Sequence, residues 1–546
     1  MRDPSHLRNI QRIMSTSLWT GIGRRQIFQS IAALVGAAAL PARAVAASAT
    51  KNIYRAIGVR PVINARGTFT IITGSQSLPQ VKQAMEAASR DYVNMDELMA
   101  GVSQRLAEIT GAEWGIVTNG CCAGIAHTTA ACIVGANPER MQRLPDLNGL
   151  KNEVIIPMYS RNVYDHAVRM VGAKIIEVDD PARLEEAFTS KTAMVYILAG
   201  PGDEGPLGTA VVCAVAKKHN VPVLVDAAAE GLTFPNVHLA RGATVVAYSG
   251  GKCIRGPQAA GLLLGEKNLL EAAWLNSAPH HAFGRALKVG KEEIMGMLAA
   301  AEGWKARDHE GEWKQWLAWL AVISARVSRI NGVTTSIIEP IGLSNRTPSL
   351  RILWDGTALG ITGTEAAKLL LDTEPRIVVA GGTGSRPDAM ASTLTITPWM
   401  MMAGDEKVVA DRVAQVISKP PKFQNPAVPQ GSPLSVQGQW EILITFARGS
   451  ATHLVTFEQN GNSLVGTHRG EYVQGDLAGS VAVDQVTFRS SQKMEGTRLF
   501  WNFTGKAAGN TMEGSVNMGE YGEARWSATR HQYIPPGGII RPVKTV

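Results

Sequence analysis

Val245-Val246-Ala247-Tyr248-Ser249-Gly250-Gly251-Lys252, followed by Cys253-Ile254-Arg255-Gly256-Pro257-Gln258, is the stretch on which the reading of this chain turns. An apolar, β-branched run ends in Ser-Gly-Gly-Lys. Such a run predicts a buried strand. The two glycines let the backbone turn sharply and let a ligand approach closely. A lysine held there can form an imine with a carbonyl cofactor. The plain alternative is a solvated surface lysine, the default for this residue type. The strand, the glycines and Gly-Pro-Gln argue against it. The stretch is not a P-loop, because the Gly-x-x-x-x-Gly-Lys spacing is missing.

Similar runs lie on both sides, at 114–118, 153–157, 174–178, 193–198, 221–225 and 261–264. Helical patterns lie between several of them, as at 184–188 and 209–219. Buried runs with helical crossovers predict a largely parallel sheet, and an α/β domain over 51–295. Residues 293–327 form a long apolar-periodic stretch with few breakers, which predicts one bridging helix. Residues 296–418, with strands at 349–354, 376–379 and 393–396 and helices at 363–371 and 405–417, read as a smaller α/β domain. A linker rich in Pro, Gly and Ser spans 419–433. From 434 to 532 the period changes to two, as in Trp440, Ile442, Ile444 and Phe446. Many short strands with close turns, such as Asn460-Gly461-Asn462, predict a closed antiparallel barrel of lipocalin-like or avidin-like type. Gly466, Gly479, Gly505 and Gly514 would relieve crowding where its strands bend. Such a barrel could hold a small ligand or serve as a packed appendage.

The net charge is +8, but residues 1–46 carry +5 of it, which leaves +3 for the remainder. That is ordinary for a soluble enzyme and gives no footprint for nucleic acid. Residues 1–46 hold Arg24-Arg25, then the mild apolar run 31–40, then Ala44-Val45-Ala46. The pattern predicts a twin-arginine-type signal peptide and a periplasmic or secreted location. No stretch is apolar and long enough to span a bilayer. Five cysteines, Cys121, Cys122, Cys132, Cys213 and Cys253, are odd in number and lack metal-ligand pairing. No metal site is expected.

Three further segments carry candidate chemistry. Val225-Asp226-Ala227 ends an apolar strand in an acid, and the carboxyl ends of parallel strands face the usual ligand crevice. A helix N-cap would also favour Asp226. Thr118-Asn119-Gly120-Cys121-Cys122 follows a strand and opens an Ala-rich helix, whose free N–H groups could bind phosphate. Close helix-to-sheet packing would ask for the same small residues. Arg285, Lys288 and Lys291 place three cations within seven residues. They suit a carboxylate or phosphate, or else a solvated basic face.

These segments, in this order, are similar to the selenocysteine-synthase-like family of fold-type I pyridoxal-phosphate (PLP) enzymes, which includes D-glucosaminate-6-phosphate ammonia-lyases. Val62-Ile63-Asn64-Ala65-Arg66-Gly67-Thr68, Tyr92-Val93-Asn94-Met95-Asp96-Glu97-Leu98 and Tyr164-Asp165-His166-Ala167-Val168-Arg169 match as well, so the resemblance covers roughly 52–418. It implies Lys252 as the Schiff-base lysine and Asp226 as partner of the pyridine nitrogen. Gly120, Cys121 and Cys122 take the phosphate-loop positions, the two cysteines standing where the family usually has Ser or Ala, and Ser249 joins the cofactor-binding set. Arg285, Lys288 and Lys291 would hold an anionic substrate or the phosphate. Tyr164 and His166 are the candidates for stacking on the cofactor ring. The resemblance further implies a homo-oligomer with shared sites, and a lyase acting on an anionic amino acid or amino sugar acid by α,β-elimination. An aminotransferase, or a selenium or sulfur transferase, stays open on the same fold. So does an exported ligand-binding protein that uses its barrel. Where selenocysteine synthases engage tRNA, this chain carries the export-signal pattern, so no nucleic acid is expected.

Overall fold

Seven apolar runs come together in one mixed sheet, in the order Trp114–Asn119, Ala260–Gly265, Val245–Ser249, Val223–Asp226, Thr192–Leu198, Glu153–Pro157, Lys174–Val178. The structure is a computed structural model and describes residues 52–387, 389–425 and 431–531. The expected signal at 1–46 lies outside the described residues, as does part of the linker. Ahead of Pro61 the described residues form one 3-10 turn, Arg55–Ile57, closed by Gly58 in the left-handed region.

Six of the seven strands run the same way, and Ala260–Gly265 is antiparallel to both of its neighbours. The central strands are buried along almost their whole length, as continuous aliphatic runs require when helices cover both faces. The helix Gly120–Val134 is buried nearly all round and packs against the sheet. Because the strands share a direction, Asn119, Leu198, Asp226 and Ser249 all end at the same edge of the sheet.

The stretch 293–327 is two helices rather than one, Lys291–Ala306 and His309–Val327. Tertiary bonds cause the break. The Trp304 indole donates to the Leu232 carbonyl, and the Arg307 guanidinium donates to the carbonyls of Cys253 and Ile254. Arg307 is extended, and Asp308 restarts the helix by accepting from Gly311 N–H. A second core gathers Leu320, Ile352, Trp354, Leu394 and Val409 around a four-stranded antiparallel sheet. Its edge strand Thr334–Ile338 carries no clear apolar alternation and escapes sequence reading. Ile377–Val379 pairs in parallel with Ile63–Ala65 instead of joining that sheet.

Residues 438–530 form a closed barrel of eight antiparallel strands. The first strand, Gly438–Thr445, pairs with the last, Glu523–Arg530, so no edge is left open. Its interior is filled by side chains, among them Trp440, Phe457, Phe488, Phe503 and Trp526, with Phe488 and Phe503 stacked at 4.3 Å. At Gly505 a Cβ would stand 2.6 Å from the Trp526 ring, so glycine lets this aromatic fill the taper.

One polar pair lies among these aromatics. His453 Nδ1 is 2.8 Å from His468 Nε2, and both rings are buried beside Trp501. Burial, with His453 adding to it, lowers His468 from 6.5 to about 3. On acidification the unfolded chain therefore takes up its proton before the folded barrel does. The contribution of His468 to stability is complete above about pH 6.5 and is lost as pH falls toward 3. The barrel's thermal midpoint, followed by near-ultraviolet circular dichroism of its tryptophans, should fall over this window. His468→Gln should flatten the dependence, and an unchanged slope in that variant would rule this account out.

Candidate active site

Asp226 closes its strand with a side chain only 2% exposed. Three donors reach it: Tyr196 OH at 2.7 Å to Oδ2, Ala228 N–H at 3.0 Å and the Cys121 thiol at 3.5 Å, both to Oδ1. None of the three is charged. A buried carboxylate held only by neutral donors favours a cation as its further neighbour. Burial pushes the Cys121 thiol well up, and the Asp226 charge adds to this, so Cys121 is held as a protonated donor. The positive charge of Lys252 acts on Cys121 and Cys122 in the opposite sense, so this lysine lies within electrostatic reach of both thiols.

Lys252 stands in the loop that leaves the strand Val245–Ser249. The loop is tied by Gly250 N–H to Ala260 O at 2.8 Å and Gly256 N–H to Gly250 O at 2.8 Å. A Cβ at Gly250 would meet Ala260 O and Met297 Sδ at 2.9 Å, and one at Gly251 would overlap the Gln258 amide. The two glycines thus admit the close packing that their motif implied. Lys252 is half-buried; its carbonyl accepts from Arg255 N–H at 3.0 Å, while its side chain forms no hydrogen bond or ion pair among the described residues. Its Nζ lies 5.8 Å from the centre of the Tyr164 ring. Of the two candidate stacking residues the structure brings Tyr164 to this lysine, while His166 is exposed and lies 3.3 Å from Arg169. A cavity of about 900 Å³ borders the same loop and is lined by Cys253, Arg255, Trp304, Arg307 and Trp399, but not by Lys252 or Asp226.

Gly120 opens the buried helix with φ +76°, and Asn119 offers that helix no side-chain cap. A Cβ at Gly261 would overlap the Gly120 carbonyl, so position 261 needs glycine for close approach, whereas Gly120 has open space around it and is required by its left-handed φ. Cys122 is exposed at this helix start, whereas Cys121 is buried. Ser249, half-buried, ends the strand before Lys252. Arg285 and Lys288 are exposed, and Lys291 pairs with Glu292. No contact among the described residues joins these three cations to Lys252 or Asp226. Lys291 starts the helix whose Met297 packs on Gly250, about 9 Å farther along its axis.

Sequence reading missed Tyr196 and Asn162. Asn162 Nδ2 donates to Tyr196 OH at 3.2 Å, and Tyr196 donates to Asp226. The one available signal was a tyrosine inside the aliphatic strand Thr192–Leu198, since a buried hydroxyl needs a partner.

The residues present fit PLP. Asp226 suits a protonated ring nitrogen, Lys252 a carbonyl, and the uncapped helix start at Gly120 a phosphate. Fold and site together define a PLP-dependent enzyme of fold type I. No protein-family model matches the chain. It is 33% identical over 300 residues to the D-glucosaminate-6-phosphate ammonia lyase of Salmonella typhimurium, a match covering 53% of this chain and 78% of the relative. It is 31% identical over 294 residues to the 5'-C-glycyluridine monooxygenase-decarboxylase of a Streptomyces species, covering 52% and 72%. A solved D-glucosaminate-6-phosphate ammonia-lyase superposes with a TM-score of 0.60 at 27% identity, over 68% of this chain and 100% of that one. The chain belongs to the family of PLP enzymes that contains these ammonia lyases and the selenocysteine-synthase-like proteins.

The cysteines give a direct check on this geometry. Burial raises Cys132, Cys213 and Cys253 to about 12 and pushes Cys121 well up; it raises Cys122 as well, but that side chain alone is exposed. Because the thiolate is the reactive form, these four should resist alkylation of the folded protein at pH 8, and exposed Cys122 should label first. Added PLP should slow the labelling of Cys122. Peptide mass mapping after a timed iodoacetamide pulse reads both effects, and early labelling of Cys121 would contradict the arrangement.

Proposed function

We propose that this enzyme is a lyase that acts on an anionic amino acid or amino sugar acid by α,β-elimination, releasing a keto acid and ammonia. The observation that carries the proposal is the grouping of Lys252, Asp226 and Cys121 at one sheet edge, in a chain 33% identical to an ammonia lyase. When bound, PLP supplies a carbonyl for amines and a ring that takes up electrons. Lys252 Nζ would attach the cofactor and, once freed by the substrate amine, would take the α-proton. Asp226 would hold the proton on the ring nitrogen, kept in place by Tyr196 and Cys121. The first-turn N–H groups at Gly120, Cys121 and Cys122 would hold the phosphate. Tyr164 would shield one side of the site.

Arg285, Lys288 and Lys291 would recognise the substrate's anionic group, and they fit best as groups shared between subunits. Exposed apolar residues support assembly of this kind: Phe69, Ile71, Tyr92 and Val93 stand open to solvent in or beside the segments that match the family. Among the described residues no helix is long and apolar enough to cross a membrane.

A panel of β-substituted amino acids and aldonic amino acids should yield keto acid and ammonia in equal amounts, with no requirement for an amino acceptor. Lys252→Ala should lose about 100- to 10,000-fold in rate, the usual worth of a general base. Borohydride should fix the cofactor to residue 252 of the parent and to no residue of the variant. Turnover that needs an acceptor would make the enzyme an aminotransferase. No product across the panel would overturn the lyase reading.

A further inference from the structure

The C-terminal barrel meets the large domain through the tip of one hairpin. Residues Glu495 and Gly496 join the strands Gln485–Met494 and Thr497–Ala508. A Cβ at Gly496 would overlap the Asn162 carbonyl oxygen and stand 2.5 Å from Asp165 Oδ2, so the tip is pressed onto the turn at 162–165. Beside it Arg161, 4% exposed, donates to Asp165 at 2.6 Å, to Glu495 at 2.6 Å and to Glu177. Arg169 is 3.4 Å from Asp165 and 4.0 Å from Glu495.

The clamped segment is the one that leads to the cofactor site. Asn162 accepts from Tyr164 N–H at 2.7 Å, which sets the turn carrying Tyr164 toward Lys252. Its Nδ2 donates to Ser160 O at 2.7 Å and to Tyr196 OH at 3.2 Å, and Tyr196 donates to Asp226 at 2.7 Å. Ser160 Oγ accepts from Leu198 N–H at 3.0 Å, which fastens the same segment to the strand of Tyr196. The packing of Gly496 on Asn162 and the ion pair of Glu495 with Arg161 thus join the barrel tip to hydrogen bonds that run from Asn162 through Tyr196 to Asp226.

We propose that the barrel is a built-in positioning module of the PLP site, with Glu495 and Gly496 as positioning residues that clamp 158–165 and thereby orient Asn162, Tyr164 and the Tyr196–Asp226 pair. The proposal rests on the PLP assignment of that site. A second barrel loop points the same way. Burial raises the Tyr164 phenol, and negative charge from Asp226 and Glu520 adds to it, Glu520 lying on the barrel turn Gly519–Tyr521. The barrel interior is filled by its own aromatics, which suits a structural module.

The charges decide how each variant should behave. Two arginines face three carboxylates in this cluster, so Glu495→Gln leaves Arg161 and Arg169 paired with Asp165 and Glu177 and keeps the fold. Gly496→Val drives the tip off the turn by overlap. Glu458→Gln, on an exposed strand position elsewhere in the barrel, is the control. Hydrogen exchange is first read on full-length protein stripped of cofactor. Amides at 158–165 should exchange about tenfold faster in Gly496→Val, less so in Glu495→Gln, while the barrel's own amides stay protected; one lost contact is worth about that factor. After PLP is added, both variants should bind it more weakly than the parent, by up to about tenfold. The pH midpoint of the bound cofactor's visible band should shift, and Glu495→Asp should restore part of it. Unchanged exchange and an unchanged band in Gly496→Val with a protected barrel would overturn the proposal, as would an unchanged pair of readouts in Glu495→Gln if the valine variant fails to fold. A parent that binds no PLP would sink the assignment of the site, while the exchange measured without cofactor would still judge the clamp.

Discussion

A buried carboxylate with only neutral donors is the constraint around which this molecule is arranged. Asp226 sits at the end of a central strand, out of water, with a phenol, an amide N–H and a thiol as partners. Removing an ionised carboxylate from water is costly unless positive charge answers it. Every element that touches Asp226 serves that condition. The sheet brings it to the edge where ligands enter, the helix start at Gly120 brings Cys121, and the neighbouring strand ends in the Gly-Gly turn that carries Lys252. A protonated ring nitrogen of the cofactor would answer the charge, and this proposed pairing would tie the electrostatics of one side chain to the chemistry of the family.

The parallel sheet explains why these groups meet. Strands running one way put all their carboxyl ends at one edge, and the loops that follow converge there. Asn119, Leu198, Asp226 and Ser249 are far apart along the chain and close to one another in the sheet for this reason alone. The glycines at 250, 251 and 261 then remove the side chains that would hold the loops apart. Met297 and Arg307 brace the lysine loop from behind, so the helix 291–306 and the break that follows it support the site, while the helix 309–327 packs into the second core.

The barrel adds a different kind of support. Its pairing is closed and its interior is filled, so it has no free edge and behaves as a unit. What it presents to the large domain is a narrow hairpin tip with one carboxylate and one glycine. A small contact of this kind acts through precision rather than area, because Arg161 is desolvated among three acids and its position is thereby narrowly set.

Much of this was written in the sequence by itself. The seven runs of the large sheet were legible because buried parallel strands must be aliphatic and β-branched. The barrel was legible because a two-residue period marks strands with one buried face. Lys252, Asp226 and the Gly120 turn stood out because each sits where a strand stops, with residue types chosen for chemistry or close approach. Tertiary structure alone decided the rest. Trp304 and Arg307 break a stretch that is helical by pattern, through bonds to residues 50 to 75 positions away. Ile377–Val379 pairs with a strand more than 300 residues earlier. Tyr196 and Asn162 enter the site, and Glu495 and Gly496 reach its support, through partners that no local period encodes. Local periodicity records which face of an element is buried, whereas a hydroxyl, an amide or a carboxylate takes its meaning from the group it meets across the fold.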